Sequence, residues 1–184
     1  MKFSPKSLTG FIARPIQYLL SRPWVRYSLV GGMYNNAYDP REKMLNFAMR
    51  YVRVSGLKGD YFEFGVYRGD TMIAAYHIAE CDALHTMRFL AFDSFQGLPE
   101  PDHNSMQPFK KGQFTCDEEQ FKKNLLKRGV DLSRVHIVSG WYKDTLNAQT
   151  RAKLPSQKAA IVYIDCDLYE SAAEALNFIT PYLE

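Results

Sequence analysis

The sequence contains few cysteines, and they follow no metal or disulfide spacing. Three occur among the 184 residues, at Cys81, Cys116 and Cys166. Their odd number and wide separation exclude a disulfide framework and a paired zinc-binding pattern. We therefore expect a reducing, cytoplasmic setting, in which Cys166 fills a small gap beside the end of a strand.

Long apolar runs are also absent. No stretch reaches the roughly 20 residues that span a bilayer, so no membrane span is expected. The basic and partly apolar residues 1–38 are interrupted by Pro5, Pro15 and Pro23, and they lack a signal-peptide core and a cleavage site. We interpret this segment as an N-terminal leader or arm: a surface arm, a dimer contact or a weak membrane-surface helix.

An excess of one charge is the third feature that is missing. The net charge of +3 is too small to indicate a nucleic-acid partner. Hydrophobic residues make up 46% of the chain and charged residues 23%, as in ordinary globular proteins. The length suits one domain with a sizeable core, which we place at residues 39–184.

Strand and helix patterns alternate along this domain. Helices are predicted at residues 39–56, 68–80, 117–129, 141–154 and 168–183. Strands are predicted at residues 59–66, 87–93, 134–140 and 159–165. In the first helix, Asp39 suits the cap, and Leu45, Met49 and Val52 recur on one face. The alternation indicates an α/β fold with a parallel sheet and helices on both faces, in which ligands bind at the carboxyl ends of the strands.

The first strand runs into a glycine-containing turn in YFEFGVYRGDT, residues 61–71. Gly65 and Gly69 let the backbone approach a ligand closely, but the spacing lacks the third glycine of a dinucleotide-binding turn. Glu63, inside the strand, favours a positively charged amine or sulfonium ligand over a pyrophosphate. The alternative is structural: the glycines form a tight turn, and Glu63 pairs with a cation.

An acidic residue ends the second strand in LAFDSFQGLPEP, residues 90–101. Asp93 stands where an acid commonly accepts hydrogen bonds from ribose hydroxyls, although it also suits a helix cap or a turn. The long polar stretch that follows, residues 94–116, has the length of a lid or binding loop. His103 within it is positioned to touch a substrate.

Aromatic and acidic residues follow the last two strands. In VSGWYKDTL, residues 138–146, the flat ring of Trp141 suits an adenine pocket or, equally, the core. In IVYIDCDLYES, Asp165 and Asp167 offer hard oxygen ligands that suit Mg²⁺ better than zinc. The alternative for Asp167 is a capping box with Glu170, which leaves Asp165 unexplained.

Taken in order, the four stretches resemble the macrocin O-methyltransferase family over about residues 40–184. The family methylates sugar hydroxyls, notably on antibiotic glycosides, using S-adenosylmethionine and Mg²⁺. The resemblance implies an α/β, Rossmann-like class I methyltransferase sheet. It also implies that the chain is an enzyme whose partner is a small-molecule hydroxyl substrate, a sugar or glycoside. Assembly into a homo-oligomer stays open.

The resemblance assigns roles to residues of this sequence. Nine would bind the cofactor, from its methionine end through its ribose to its adenine: Glu63, Gly65, Tyr67, Gly69, Asp93, Ser94, Ser139, Gly140 and Trp141. Asp165 corresponds to a metal-binding aspartate. Asp167 corresponds to the general base that takes the proton from the acceptor hydroxyl.

The resemblance also sets an expectation about the chain's extent. The sequence stops at NFITPYLE, before the glycine turn, further strands and adjacent metal-binding aspartates of the family. We therefore expect a fragment truncated after the fourth strand, with weak metal binding and one open sheet edge. Two other interpretations remain: a noncatalytic methyltransferase-like domain for binding or assembly, and an α/β enzyme that uses another nucleotide.

Overall fold

The chain forms one parallel sheet with helices on both faces. A computed structural model describes residues 40–100 and 109–183, so the predicted leader, the cap at Asp39 and His103 lie outside the described residues. The strands are β1 (Asp60–Phe64), β2 (Phe89–Asp93), β3 (Val135–Ser139) and β4 (Ala159–Ile164). The α-helices are α1 (Pro40–Ser55), α2 (Asp70–Cys81), α3 (Glu118–Lys127), α4 (Tyr142–Thr145), α5 (Ala148–Lys153) and α6 (Tyr169–Ile179).

The strand order is β3-β2-β1-β4, and every neighbouring pair is parallel. The chain moves outward from β1 to β3 and then returns to the other side of β1 for β4. This reversal gives the sheet a topological switch point between β1 and β4, the place where open α/β sheets bind their ligands. The predicted α/β class and parallel sheet are confirmed.

Two apolar clusters, one on each face, hold the sheet between its helices. On one face, Tyr61 and Phe89 pack with α1, α2 and α3. On the other face, Phe62 and Phe92 pack with α6, where the rings of Phe92 and Phe178 lie 5.6 Å apart. All five residues of β1 are buried, because successive side chains point to opposite faces and both faces are covered.

Helix α1 closely follows its prediction. Leu45, Met49 and Val52 are buried, as their spacing on one helix face predicts. No helix in the described parts of the chain is long and apolar enough to cross a membrane. Cys166 lies at the end of β4 with its Sγ atom 3.6 Å from the carbonyl oxygen of Phe64, and all three cysteines are free thiols.

The prediction of a single helix at residues 141–154 is wrong. The segment forms two short helices, α4 and α5, with Leu146 and Asn147 between them. The backbone of Asn147 is extended, and its side chain accepts a hydrogen bond from the amide of Thr150 at 2.9 Å. This side-chain cap satisfies a free amide at the start of α5, so a new helix begins there.

Candidate functional site

The carboxyl ends of all four strands meet at one edge of the sheet. The amides of Gly65, Gly140 and Asp165 each donate a hydrogen bond of 2.9 Å to a carbonyl oxygen of the neighbouring strand. Pairing therefore continues one residue beyond β1, β3 and β4 and fixes the stretches that follow them. The four stretches identified in the sequence lie side by side as a result.

An open cleft of about 840 Å³ lies above this edge, within the usual range for small-molecule sites. Seven of the predicted site residues line it: Gly65, Tyr67, Asp93, Ser94, Trp141, Asp165 and Asp167. Four others lie outside its lining: Glu63, Gly69, Ser139 and Gly140. The cleft thus brings together residues from every predicted stretch.

Glu63 lies beneath the cleft. Its side chain is only 1% exposed, and one carboxylate oxygen accepts a hydrogen bond of 2.8 Å from the Tyr61 hydroxyl. Burial raises the pKa of Glu63 to about 8; the charges of Asp165 and Asp93 add to this, and the bond from Tyr61 opposes it. An acid with this pKa is largely protonated at neutral pH, and its contact with a cofactor stays a prediction.

In the wild type, we expect the free energy of unfolding to fall as pH rises because of Glu63. In Glu63→Gln, this contribution should be absent. The folded chain holds this proton up to a pKa of about 8, whereas an ordinary glutamate at 4.5 has already lost it. Stability therefore falls between these values by about 1.4 kcal/mol per pH unit, while the neutral glutamine still accepts from Tyr61.

The measurement is urea unfolding of both proteins at several pH values from 5 to about 8. The free energy of unfolding of Glu63→Gln, relative to that of the wild type, should increase progressively with pH. Glu80→Gln serves as the control, because Glu80 pairs with Arg134 and the pKa of its carboxyl is lowered. Parallel curves for wild type and Glu63→Gln would contradict the raised pKa.

The two glycines of the β1 turn are required by the fold itself. Gly65 has a φ of +86°, and a Cβ atom there would lie 2.4 Å from the carbonyl oxygen of Asp165. Gly69 has a φ of +87°, and its Cβ atom would lie 2.7 Å from Leu125 and 2.8 Å from Phe121. Left-handed backbone and close contacts both favour glycine at these positions, with or without a ligand.

Asp93 organises the turns at the ends of β1 and β2. Its Oδ2 atom accepts hydrogen bonds from the amides of Val66 at 2.8 Å and Tyr67 at 3.1 Å, and Oδ1 accepts from the amide of Phe95 at 2.8 Å. The turn role considered in the sequence is therefore confirmed. Asp93 also lines the cleft, and its Oδ1 atom, which accepts only one of the three bonds, retains a lone pair that can accept from a ribose hydroxyl.

The loop predicted as a lid is anchored at its base. Ser94 closes a turn there, because its hydroxyl donates to the carbonyl of Gly97 at 3.0 Å. Further along, Leu98 exchanges two backbone hydrogen bonds of 2.9 Å with Gly112 and Gln113. In the described part of the loop, two irregular chain segments are therefore joined by backbone hydrogen bonds at one side of the cleft. We call these joined segments the neck.

An aromatic pair joins this neck to the glycine turn. The rings of Tyr67 and Phe114 meet edge to face with their centroids 5.8 Å apart, and both residues line the cleft. The guanidinium carbon of Arg68 lies 5.0 Å from the centre of the Tyr67 ring. These contacts place apolar surface next to the polar floor of the cleft.

The end of β3 contributes one predicted residue and one that the sequence did not mark. Trp141 is half-buried and lines the cleft, so it does not belong to the buried core. Tyr142 also lines the cleft, and its hydroxyl donates to the carbonyl of Phe92 at 3.0 Å. Burial raises the pKa of Tyr142 well above its usual value. Its only signal in the sequence was its position beside Trp141.

Asp165 and Asp167 are both exposed at the edge of the cleft. Helix α6 has Leu168 at its N-cap and no side-chain capping bond, so the capping-box alternative for Asp167 is wrong. Partial burial and the neighbouring charge of Asp165 raise the pKa of Asp167. A carboxylate with a raised pKa is a better proton acceptor than an ordinary aspartate.

The predicted Mg²⁺ site at Asp165 has few possible ligands around it among the residues that the structure describes. Within residues 40–100 and 109–183, no group of three or more histidine, cysteine, aspartate or glutamate side chains is arranged to hold a metal ion. Asp165 and Asp167 supply two carboxylates, which is only part of a Mg²⁺ coordination shell. The described residues therefore do not form a complete metal centre.

The lining of the cleft is predominantly acidic among the described residues. Its acids are Asp70, Asp93, Glu100, Asp165, Asp167, Glu170 and Glu174. Its bases are Arg41 and Lys143. Arg41 on α1 and Glu174 on α6 lie outside the four stretches identified in the sequence. The excess of acids attracts a cationic group, even though the whole chain carries a net charge of +3.

The sheet order and its helices define a class I methyltransferase fold. CalS11, a calicheamicin methyltransferase of known structure, matches with a TM-score of 0.66 and 23% identity, over 100% of this chain and 76% of that chain. A family model described as macrocin-O-methyltransferase (TylF) matches residues 21–183. The chain belongs to the macrocin-O-methyltransferase family, as the order of its motifs predicted.

Two curated relatives extend the comparison. The 8-demethyl-8-(2,3-dimethoxy-alpha-L-rhamnosyl)-tetracenomycin-C 4'-O-methyltransferase of Streptomyces olivaceus is 29% identical over 174 residues, which are 90% of this chain and 62% of the relative. The demethyldecarbamoylnovobiocin O-methyltransferase of Streptomyces niveus is 29% identical over 136 residues, 69% of this chain and 49% of the relative. The chain thus spans about half to three fifths of the length of these relatives.

Proposed function

We propose that this protein is an S-adenosylmethionine-dependent O-methyltransferase whose acceptor is a hydroxyl group of a sugar or another small molecule. The observation that carries the proposal is a cleft at the β1–β4 switch point that gathers residues from all four motif stretches. Family membership supports it, as do relatives named as O-methyltransferases, one of which acts on a rhamnosyl-bearing compound. Residues 39–184 would form its methyltransferase domain, and the free thiols suit the cytoplasmic setting proposed from the sequence.

The cleft fits the cofactor in size and in charge. In this proposal the left-handed turn at Gly65 lets the backbone approach the cofactor, Asp93 accepts from its ribose, and the ring of Trp141 covers its adenine. The acidic lining favours the positively charged end of the cofactor. When bound, S-adenosylmethionine supplies an activated methyl group on a sulfonium centre.

Asp167 acts as the general base in this proposal. A sugar hydroxyl is a weak nucleophile while it holds its proton, and Asp167 is exposed in the cleft with a raised pKa. It would accept the proton of the acceptor hydroxyl and so make the oxygen a stronger nucleophile. Asp165 orients the acceptor or binds the Mg²⁺ ion that the resemblance implies. The described residues supply only part of the ligands that such an ion needs.

We expect saturable binding when the full chain is titrated calorimetrically with S-adenosylmethionine, with and without Mg²⁺. The acidic cleft should bind this cation more tightly than the uncharged thioether S-adenosylhomocysteine. Transfer of a labelled methyl group to a rhamnoside then tests the reaction itself. A folded chain that binds neither cofactor form would overturn the proposal.

A noncatalytic binding or assembly domain is the second candidate. One observation favours it: the described residues provide two carboxylates at the end of β4 and no larger metal-binding group. This alternative predicts cofactor binding without methyl transfer to any hydroxyl acceptor. Methyl transfer that is abolished in Asp167→Asn would exclude it.

A further inference from the structure

Helix α1 presents an apolar face that no described residue covers. Met44 and Tyr51 are each 66% exposed, and Phe47 and Val54 are each 73% exposed. Their spacing of three and four residues aligns them along one side of the helix, opposite the side that packs into the core. We call these four residues the outer face of α1. A contiguous apolar surface of this kind marks an interaction site.

The surroundings of this face are basic. Arg50 and Lys58 are both exposed, and residues 43–59 contain four basic and no acidic residues. The same asymmetry divides the whole chain, because residues 1–59 hold ten basic and two acidic residues. Residues 60–184 hold 13 basic and 18 acidic residues. Such a separation of charge within one chain points to an anionic surface as a partner of the basic part.

Charge and apolar area argue against three other occupants of this face. A second copy docked face to face would bring two basic borders together, which is repulsive. The N-terminal residues 1–38 contain five basic and no acidic residues, so they offer no complementary charge. A nucleic acid would complement the basic border but would leave four large apolar side chains without apolar partners.

We propose that the outer face of α1 docks on an anionic lipid surface. Its apolar side chains enter the boundary between headgroups and acyl chains, while Arg50 and Lys58 contact the headgroups. Arg41, in the first turn of the same helix, lines the cleft, so the cleft lies at the N-terminal end of the docked helix. The docking does not depend on methyl transfer.

Vesicle sedimentation tests this docking with the full 184-residue chain. The chain should bind phosphatidylcholine vesicles that contain about one third phosphatidylglycerol, and this binding should weaken at high salt. Phe47→Ser with Tyr51→Ser should weaken it at least about tenfold, because both rings leave the interface. Arg50→Gln with Lys58→Gln should weaken it about fivefold for each charge removed.

Leu126→Ser is the matched control, since this leucine is 57% exposed on α3, away from the outer face. Its binding should equal that of the wild type, and circular dichroism should confirm that every variant is folded. No binding to the anionic vesicles, or unchanged binding by the Phe47→Ser and Tyr51→Ser variant, would overturn the proposal. Two other outcomes would also overturn it if the wild type does not bind vesicles. One is a dimer that forms in the wild type and is lost in the Phe47→Ser and Tyr51→Ser variant. The other is a complex with an oligonucleotide that this variant likewise loses.

Discussion

Replacing Asp167 with asparagine should lower the rate of methyl transfer by about 10²- to 10⁴-fold. The substitution keeps the size of the side chain but removes its ability to accept the acceptor's proton. Because Asp167 is exposed and makes no hydrogen bond to another described residue, the fold should be unaffected. Its free energy of unfolding should stay within about 0.5 kcal/mol of the wild type.

A single-turnover experiment with labelled S-adenosylmethionine and a glycoside acceptor measures this effect. The wild-type rate should rise with pH through a pKa above that of an ordinary aspartate, since partial burial and Asp165 raise it. The variant should lose this dependence while its affinity for the cofactor stays the same. Asp144→Asn is the matched control, because Asp144 is exposed on α4 and lies outside the cleft lining. Full turnover by Asp167→Asn would remove the base assignment.

The second large effect is expected from Asp93→Ala. This change removes three hydrogen bonds to one carboxylate and leaves the amides of Val66, Tyr67 and Phe95 without that partner. Each unsatisfied, partly buried amide costs about 1–3 kcal/mol, so the chain should lose about 3–9 kcal/mol of unfolding free energy. Cofactor affinity should fall at least about 100-fold, because the turns that line the cleft lose their common anchor.

Urea unfolding and calorimetric titration, performed where each variant is still folded, separate the two effects. Asp131→Ala is the control: its carboxylate accepts one bond of 2.9 Å from the amide of Ser133, outside the cleft lining. Asp131→Ala should lower the free energy of unfolding by about 1 kcal/mol and leave the affinity for the cofactor unchanged. The unfolding free energy and the cofactor affinity of Asp93→Asn should lie between those of Asp93→Ala and the wild type. The reason is that one side-chain oxygen remains to accept hydrogen bonds. Unchanged cofactor affinity in folded Asp93→Ala would argue against the binding role.

The regular elements of the fold were largely readable from the sequence. The buried stripe of α1 and the four apolar strands follow from local periodicity, which side-chain direction fixes within each helix and strand. The break between α4 and α5 was missed because one hydrogen bond, from the amide of Thr150 to the side chain of Asn147, outweighed a continuous helical pattern. Such caps depend on the backbone geometry of a single residue rather than on periodicity.

The candidate site was only partly readable. Motif order placed Asp93, Trp141, Asp165 and Asp167 at strand ends, and the cleft contains them all. The same reasoning did not foresee that Asp93 would already bind three backbone amides. The amides of Val66 and Tyr67 come from the turn that follows β1, and they reach Asp93 only when β1 and β2 pair.

The sequence by itself determined the alternation of strands and helices, the family and the acids at the strand ends, because these are properties of local pattern and motif order. Tertiary structure decided what each acid can do. It buried Glu63 beneath the cleft against Tyr61 and left Asp167 exposed beside Asp165. The reason is that proton affinity depends on burial and on nearby charge, and burial is set by the packing of segments that lie far apart in the chain.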